Sequence, residues 1–309
     1  MNLKSSFYSI TLVSILLIFV SPPALKAQGA LCPPSGCSWF TPVPRLSVGY
    51  MFPAGPTTLK KDIKSTNENH LKKLTQSYNL EGLWTEFAFP FRTPWPLGFE
   101  ICGAYLFSSN NRSEETYTTV GNVAGSRSWR TSTQMWYFQM LATYQITSSL
   151  SGILGFRYDS FMTKFSEPED MSGDTSLPSQ TADLSVTLDV PFIGMAYSRR
   201  FMYGSTINAG IIGLPTLPGD LYYRGVGRSS DNKAFLMSKE LNSGYFLESW
   251  TGLLLPLTPW IQVGGFLKYS GVYGKTLGIL SDSNKSQYET EATFDRDNWI
   301  VAGFVSASF

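Results

Sequence analysis

From position 44 onward, apolar residues recur at every second position in stretches of about ten residues, the period of a β-strand with two unlike faces. Near the start, Leu46, Val48, Tyr50 and Phe52 alternate with Arg45, Ser47, Gly49 and Met51. At the end, Trp299, Val301, Gly303, Val305, Ala307 and Phe309 form an apolar or small-residue row against Asn298, Ile300, Ala302, Phe304, Ser306 and Ser308. The same pattern predicts ten strands, at 45–52, 78–91, 97–107, 134–146, 150–161, 183–197, 205–214, 245–255, 260–273 and 298–309. What separates them alternates too. Connections 92–96, 147–149, 198–204 and 256–259 are short, whereas 53–77, 108–133, 162–182, 215–244 and 274–297 are long and rich in Ser, Thr, Asn, Asp and Gly.

A strand of about ten residues crosses a bilayer when tilted, and a helix of that length does not. An even number of strands with short turns at one end and long loops at the other is the pattern of a transmembrane barrel with both termini on the short-turn side. The expected fold class is therefore all-β, a transmembrane antiparallel up-and-down β-barrel of ten strands. A soluble β-sandwich explains alternation but not this rhythm of loop lengths. The final strand, ending on Phe309, resembles the closing strand of Gram-negative outer-membrane β-barrels. That resemblance implies that Phe309 is a signal read by the barrel-assembly machinery.

The N-terminus points the same way. Lys4 precedes an apolar run from Ile10 to Val20, and Ser21-Pro22-Pro23 breaks it before Ala27. This is the layout of a secretory signal peptide, too short for a spanning helix. The expected organisation is a cleaved signal peptide at 1–27, a periplasmic segment at 28–43 and the barrel at 44–309. Cleavage removes Lys4 and Lys26, which takes 24 basic residues to 22 against 23 acidic ones, about −1. Bulk polycation binding is not implied, and no nucleic-acid partner is expected. Hydrophobic content of 43% with 27 glycines suits a wall with one lipid face and one polar face. Cys32 and Cys37 close a small loop if oxidised, although Pro33 and Pro34 between them restrict the approach.

Aromatic residues fall where interfacial girdles belong. Trp95, Tyr144, Trp260 and Phe309 lie near the short turns; Tyr50, Phe107, Trp136, Tyr158, Tyr245, Tyr269, Tyr273 and Trp299 lie toward the long loops. If the apolar rows meet lipid, Arg45, Glu86, Glu100, Arg157, Asp159, Asp189, Glu248, Lys268 and Arg296 belong in the lumen. Folding one hairpin about Thr258 puts Glu248 opposite Lys268; folding another about Thr93 puts Glu86 opposite Glu100. The first is an expected ion pair. The second is either an acid/base pair or, with Arg45 on the neighbouring strand, part of a structural network.

Ten strands also resemble the omptins, outer-membrane proteases whose rim site combines an Asp pair with an Asp-His pair. That resemblance is one of topology and covers no motif, since the single histidine, His70 in Asn67-Glu68-Asn69-His70, has no matching Asp-His pair. No nucleotide loop or metal-spaced cluster occurs, so no cofactor or metal is expected. Lys60, Lys61, Lys64, Lys72 and Lys73 cluster in the first long loop, at the level of lipopolysaccharide phosphates. Three functions remain open: a non-enzymatic barrel whose loops meet lipopolysaccharide or a partner, a narrow porin-like channel for small solutes, and a surface hydrolase.

Overall fold

The computed structural model describes residues 44–55, 57–65, 71–90, 97–119, 122–170, 182–201, 204–216, 218–226, 233–238, 241, 243–281 and 287–309. The signal-peptide and 28–43 expectations, the Cys32–Cys37 pair, His70 and Trp95 lie outside these residues. Every regular element among them is a strand: β1 (Arg45–Pro53), β2 (Thr57–Ser65), β3 (Leu71–Tyr78), β4 (Glu81–Pro90), β5 (Leu97–Thr119), β6 (Asn122–Gln145), β7 (Leu150–Asp170), β8 (Ala182–Arg200), β9 (Thr206–Leu214), β10 (Gly219–Val226), β11 (Lys233–Ser238), β12 (Ser243–Pro256), β13 (Ile261–Ser281) and β14 (Gln287–Ser308).

Ten of these close a ring at the short-turn end. Following antiparallel pairings, the order is β1, β4, β5, β6, β7, β8, β9, β12, β13, β14 and back to β1. The seam joins the first and last strands, from Arg45↔Ser308 to Pro53↔Ile300. Closure leaves no unpaired edge, as a wall in lipid requires.

Above this ring stands a second. β2 and β3 fill the wall between β14 and β5, directly above β1 and β4. β10 and β11 do the same between β8 and β13, above β9 and β12. Six strands, β5 to β8 with β13 and β14, run through both rings. The expected loops at 53–77 and 215–244 are therefore hairpins set into the wall, and most of 108–133 is strand, with two residues between β5 and β6. The reason is solvent: above the lipid the outer face meets water and needs no apolar row, so a strand there reads as a polar loop.

The faces sort as the alternation requires. Leu46, Val48 and Phe52 are exposed on the outside, while Arg45, Ser47 and Met51 are buried inside. On the outer surface Trp136 meets Tyr158 at 4.9 Å, Tyr245 meets Tyr273 at 5.8 Å and Tyr269 meets Trp299 at 5.0 Å. Tyr144, Trp260 and Phe309 are exposed near the other end. From Tyr144 to Trp136 is eight residues and from Trp260 to Tyr273 thirteen; at about 3.3 Å per residue and a tilt near 40° these are roughly 20 and 33 Å of height. They bracket an apolar band of about 25 Å.

Candidate functional site

The interior has three levels. Highest, beyond the tyrosine girdle, it is filled with apolar side chains: Leu59, Tyr78, Leu80, Trp129, Phe161, Phe165, Leu184, Val186 and Phe294 are all at most 2% exposed. Tyr78 and Phe294 pack on Phe161 with ring centroids 5.9 and 6.1 Å away. Small polar side chains tie this level together, as where Gln76 Nε2 donates to Thr131 and Thr133, both 3.1 Å away.

Beneath lies a belt of alternating charge. Arg296 Nη2 approaches Asp159 Oδ2 at 3.4 Å, Arg157 Nε donates to Asp159 Oδ1 at 2.9 Å, and Arg157 Nη1 donates to Glu248 Oε2 at 2.5 Å. Lys268 Nζ completes the chain, 3.3 Å from Glu248 Oε2 and 2.9 Å from the Tyr137 hydroxyl, to which it donates. The Tyr137 ring lies 4.0 Å under the Arg157 guanidinium. Buried charge is tolerated here because each ion has an opposite partner and each cation an aromatic ring besides.

Lowest, toward the short turns, is a cavity of about 90 Å³. Trp84, Phe266 and Phe304 form one wall, with centroids 5.2, 5.3 and 6.0 Å apart. Its polar groups include Arg45, Glu86, Glu100, Cys102, Gln139 and Asn208, and Lys268 and Glu248 form its roof. Glycines on neighbouring strands keep it open. A Cβ on Gly210 would sit 2.2 Å from the Trp250 ring, and one on Gly264 2.4 Å from Phe304. Those rings thus lie flat against the wall instead of projecting into the lumen.

Most residues assigned to the lumen from sequence line it, but the pairings differ. Arg45 bonds Glu86 diagonally across β1 and β4, since Ser47 and not Arg45 is its direct neighbour. Glu100 faces Ala88, and Glu86 faces Cys102, so the expected register of that hairpin is off by two residues. The Glu248 hairpin is off by two as well: Glu248 faces Ser270, and Lys268 faces Trp250. Shifts of two preserve the faces, which is why Glu248 and Lys268 still meet. Thr258 explains the shift. Its hydroxyl accepts from the Trp260 and Ile261 amides, 3.2 and 2.9 Å away, and centres the turn one residue later.

Asp189 is a correction. It is exposed on the outer face, because the inward row of β8 is Leu184, Val186, Leu188, Val190 and Phe192. It pairs with Tyr158 at girdle height, where water reaches it. The lysine cluster is split likewise: Lys60 is exposed, but Lys61 is fully buried inside the wall. Tyr137 is the shared platform of the belt, under both Arg157 and Lys268. No periodicity marks its role.

Neither a protein-family model nor a curated protein matches the sequence. Solved structures do. The outer membrane protease OmpT from Escherichia coli superimposes with a TM-score of 0.68 at 9% identity, covering 86% of this chain and 97% of that one. The fold is that of a Gram-negative outer-membrane β-barrel. The translocator domain of the autotransporter NalP from Neisseria meningitidis matches at a TM-score of 0.36 and 11% identity, over 99% and 98% of the two chains. The Pseudomonas putida toluene transporter TodX matches at 0.31 and 10%, over 86% and 90%. At these identities the likeness extends to the fold and stops there.

Proposed function

We propose that this barrel resides in the outer membrane of a Gram-negative bacterium as a closed, non-conducting wall that acts through its outer ring and loops. The observation that carries this reading is the filled interior: Tyr78, Phe161, Leu184, Val186 and Phe294 occupy the level above the charged belt, each at most 2% exposed. Water-filled pores come with wider barrels of about sixteen strands. Above the girdle the outer face carries Lys60, Arg130, Lys164 and Lys275. This is the height at which lipopolysaccharide phosphates lie, and it supports contact with that layer or with a protein partner.

The test is conductance. Purified barrel inserted into planar bilayers gives no unitary steps above background, and reproducible steps would replace this reading with the channel. The likeness to OmpT raises a hydrolase as the second reading. Whole cells displaying the barrel are expected to leave dibasic and acidic test peptides intact, and cleavage that disappears in His70→Ala would favour the hydrolase.

A further inference from the structure

We propose that the cavity below the charged belt binds a small organic cation, an ammonium or guanidinium head with a short apolar tail, entering from the short-turn end. Charge is the first argument. Arg45 is engaged by Glu86, and Lys268 by Glu248 and Tyr137. Glu100 lines the same space and makes no salt bridge among the described residues. Glu86 and Glu100 thus bring two carboxyl groups to a space whose one guanidinium, that of Arg45, is bonded to Glu86. A cation bound beside Glu100 supplies the partner that the second carboxyl group lacks.

The walls favour the cation. Trp84, Phe266 and Phe304 stand around the space, and aromatic faces attract a desolvated ammonium more strongly than an exposed one. Trp250 adds a fourth ring to the lining. The chemistry is wrong for a metal ion, because among the described residues no three His, Cys, Asp or Glu side chains converge. Size limits the ligand: about 90 Å³, against the ~150 Å³ that holds benzene, takes a head group and two or three carbons. The lining reaches Thr143 and Ser151, beside the 146–149 turn, and the belt closes the opposite end. The site is a blind pocket, compatible with a barrel that does not conduct.

The experiment titrates detergent-solubilised barrel with n-propylammonium and, separately, with 1-propanol, read by ligand-observed NMR. Propylammonium is expected to saturate at millimolar concentration or below, and propanol at least tenfold more weakly. Glu100→Gln, which keeps the shape and removes the charge, is expected to weaken propylammonium at least tenfold. Thr143→Trp, which fills the entrance and leaves every charge in place, is expected to abolish binding. Both variants are first checked for the gel shift of the unboiled barrel, so that the one that folds decides. Equal binding of amine and alcohol, no binding to the unaltered barrel, or full binding by a folded variant would each overturn the proposal.

Discussion

Arg157→Met is the most telling single change in the belt. The guanidinium is fully buried, 2.5 Å from Glu248 and 2.9 Å from Asp159. Without it, each anion keeps one cation at longer range, Lys268 at 3.3 Å and Arg296 at 3.4 Å. Stripping one partner from a buried pair costs about 3 to 5 kcal/mol, and losing the contact with Tyr137 puts the expected cost near the upper end. Lys268→Met is a different perturbation, because Glu248 retains Arg157 at the shorter distance. Its expected cost is about 1.5 to 3 kcal/mol, that of one charged hydrogen bond. Reversible urea unfolding at neutral pH, followed by tryptophan fluorescence, measures both. Adding Glu248→Gln to Arg157→Met should cost less than the two single changes summed. Equal losses for the two cations, or a larger loss for Lys268→Met, would refute the assignment of Arg157 as the centre of the belt.

Replacing Phe309 with Asp should lower the amount of heat-modifiable barrel in the membrane severalfold while export is unaffected; its amide donates to Pro44 O at 3.1 Å at the closing seam. Cysteine labels on Leu277→Cys should react with an impermeant reagent on whole cells, whereas labels on Ser148→Cys should not, in a background with Cys32, Cys37 and Cys102 replaced by Ser. The reverse would invert the barrel. The hydrogen bond and ion pair with Glu291, 2.8 Å away, raise the pKa of Lys275, two residues beyond Tyr273. A raised folded value means stabilisation that is complete below the ordinary lysine range and lost as pH climbs through the shifted value. Thermal melts should therefore fall more steeply above pH 10 for the unaltered chain than for Lys275→Met, and identical slopes would contradict the pair.

The membrane-embedded half of the wall was legible because lipid and lumen make opposite demands on neighbouring residues. Leu46 and Arg45 cannot exchange faces without burying a charge in acyl chains. Higher up, the constraint disappears. Ser108 to Thr133 continue the same two strands, but water outside accepts any polar residue, and the pattern fades although the backbone does not. Pairing partners were harder to read than faces, since alternation fixes parity and turn chemistry fixes register: the Thr258 hydroxyl moved Glu248 from Lys268 to Ser270. Asp189 was misplaced by treating every charge as lumenal, when its neighbours on β8 determine which way it points. The cavity left no trace in the pattern, because it depends on Gly210 and Gly264 meeting aromatic rings from other strands.

The four interrupted staves divide the wall mechanically. β1 gives way to β2 and β3 to β4 on one side, and β9 to β10 and β11 to β12 on the other, each across a few residues where the ladder register shifts. Between these joints stand two panels of strands that run through both rings, the four strands β5 to β8 and the two strands β13 and β14. The joints interrupt the ladder, so a load applied to the rim would bend the wall there before it bends the strands that run through. The lower ring is paired all the way round, so bending confined to the joints would leave the wall at membrane depth closed to lipid.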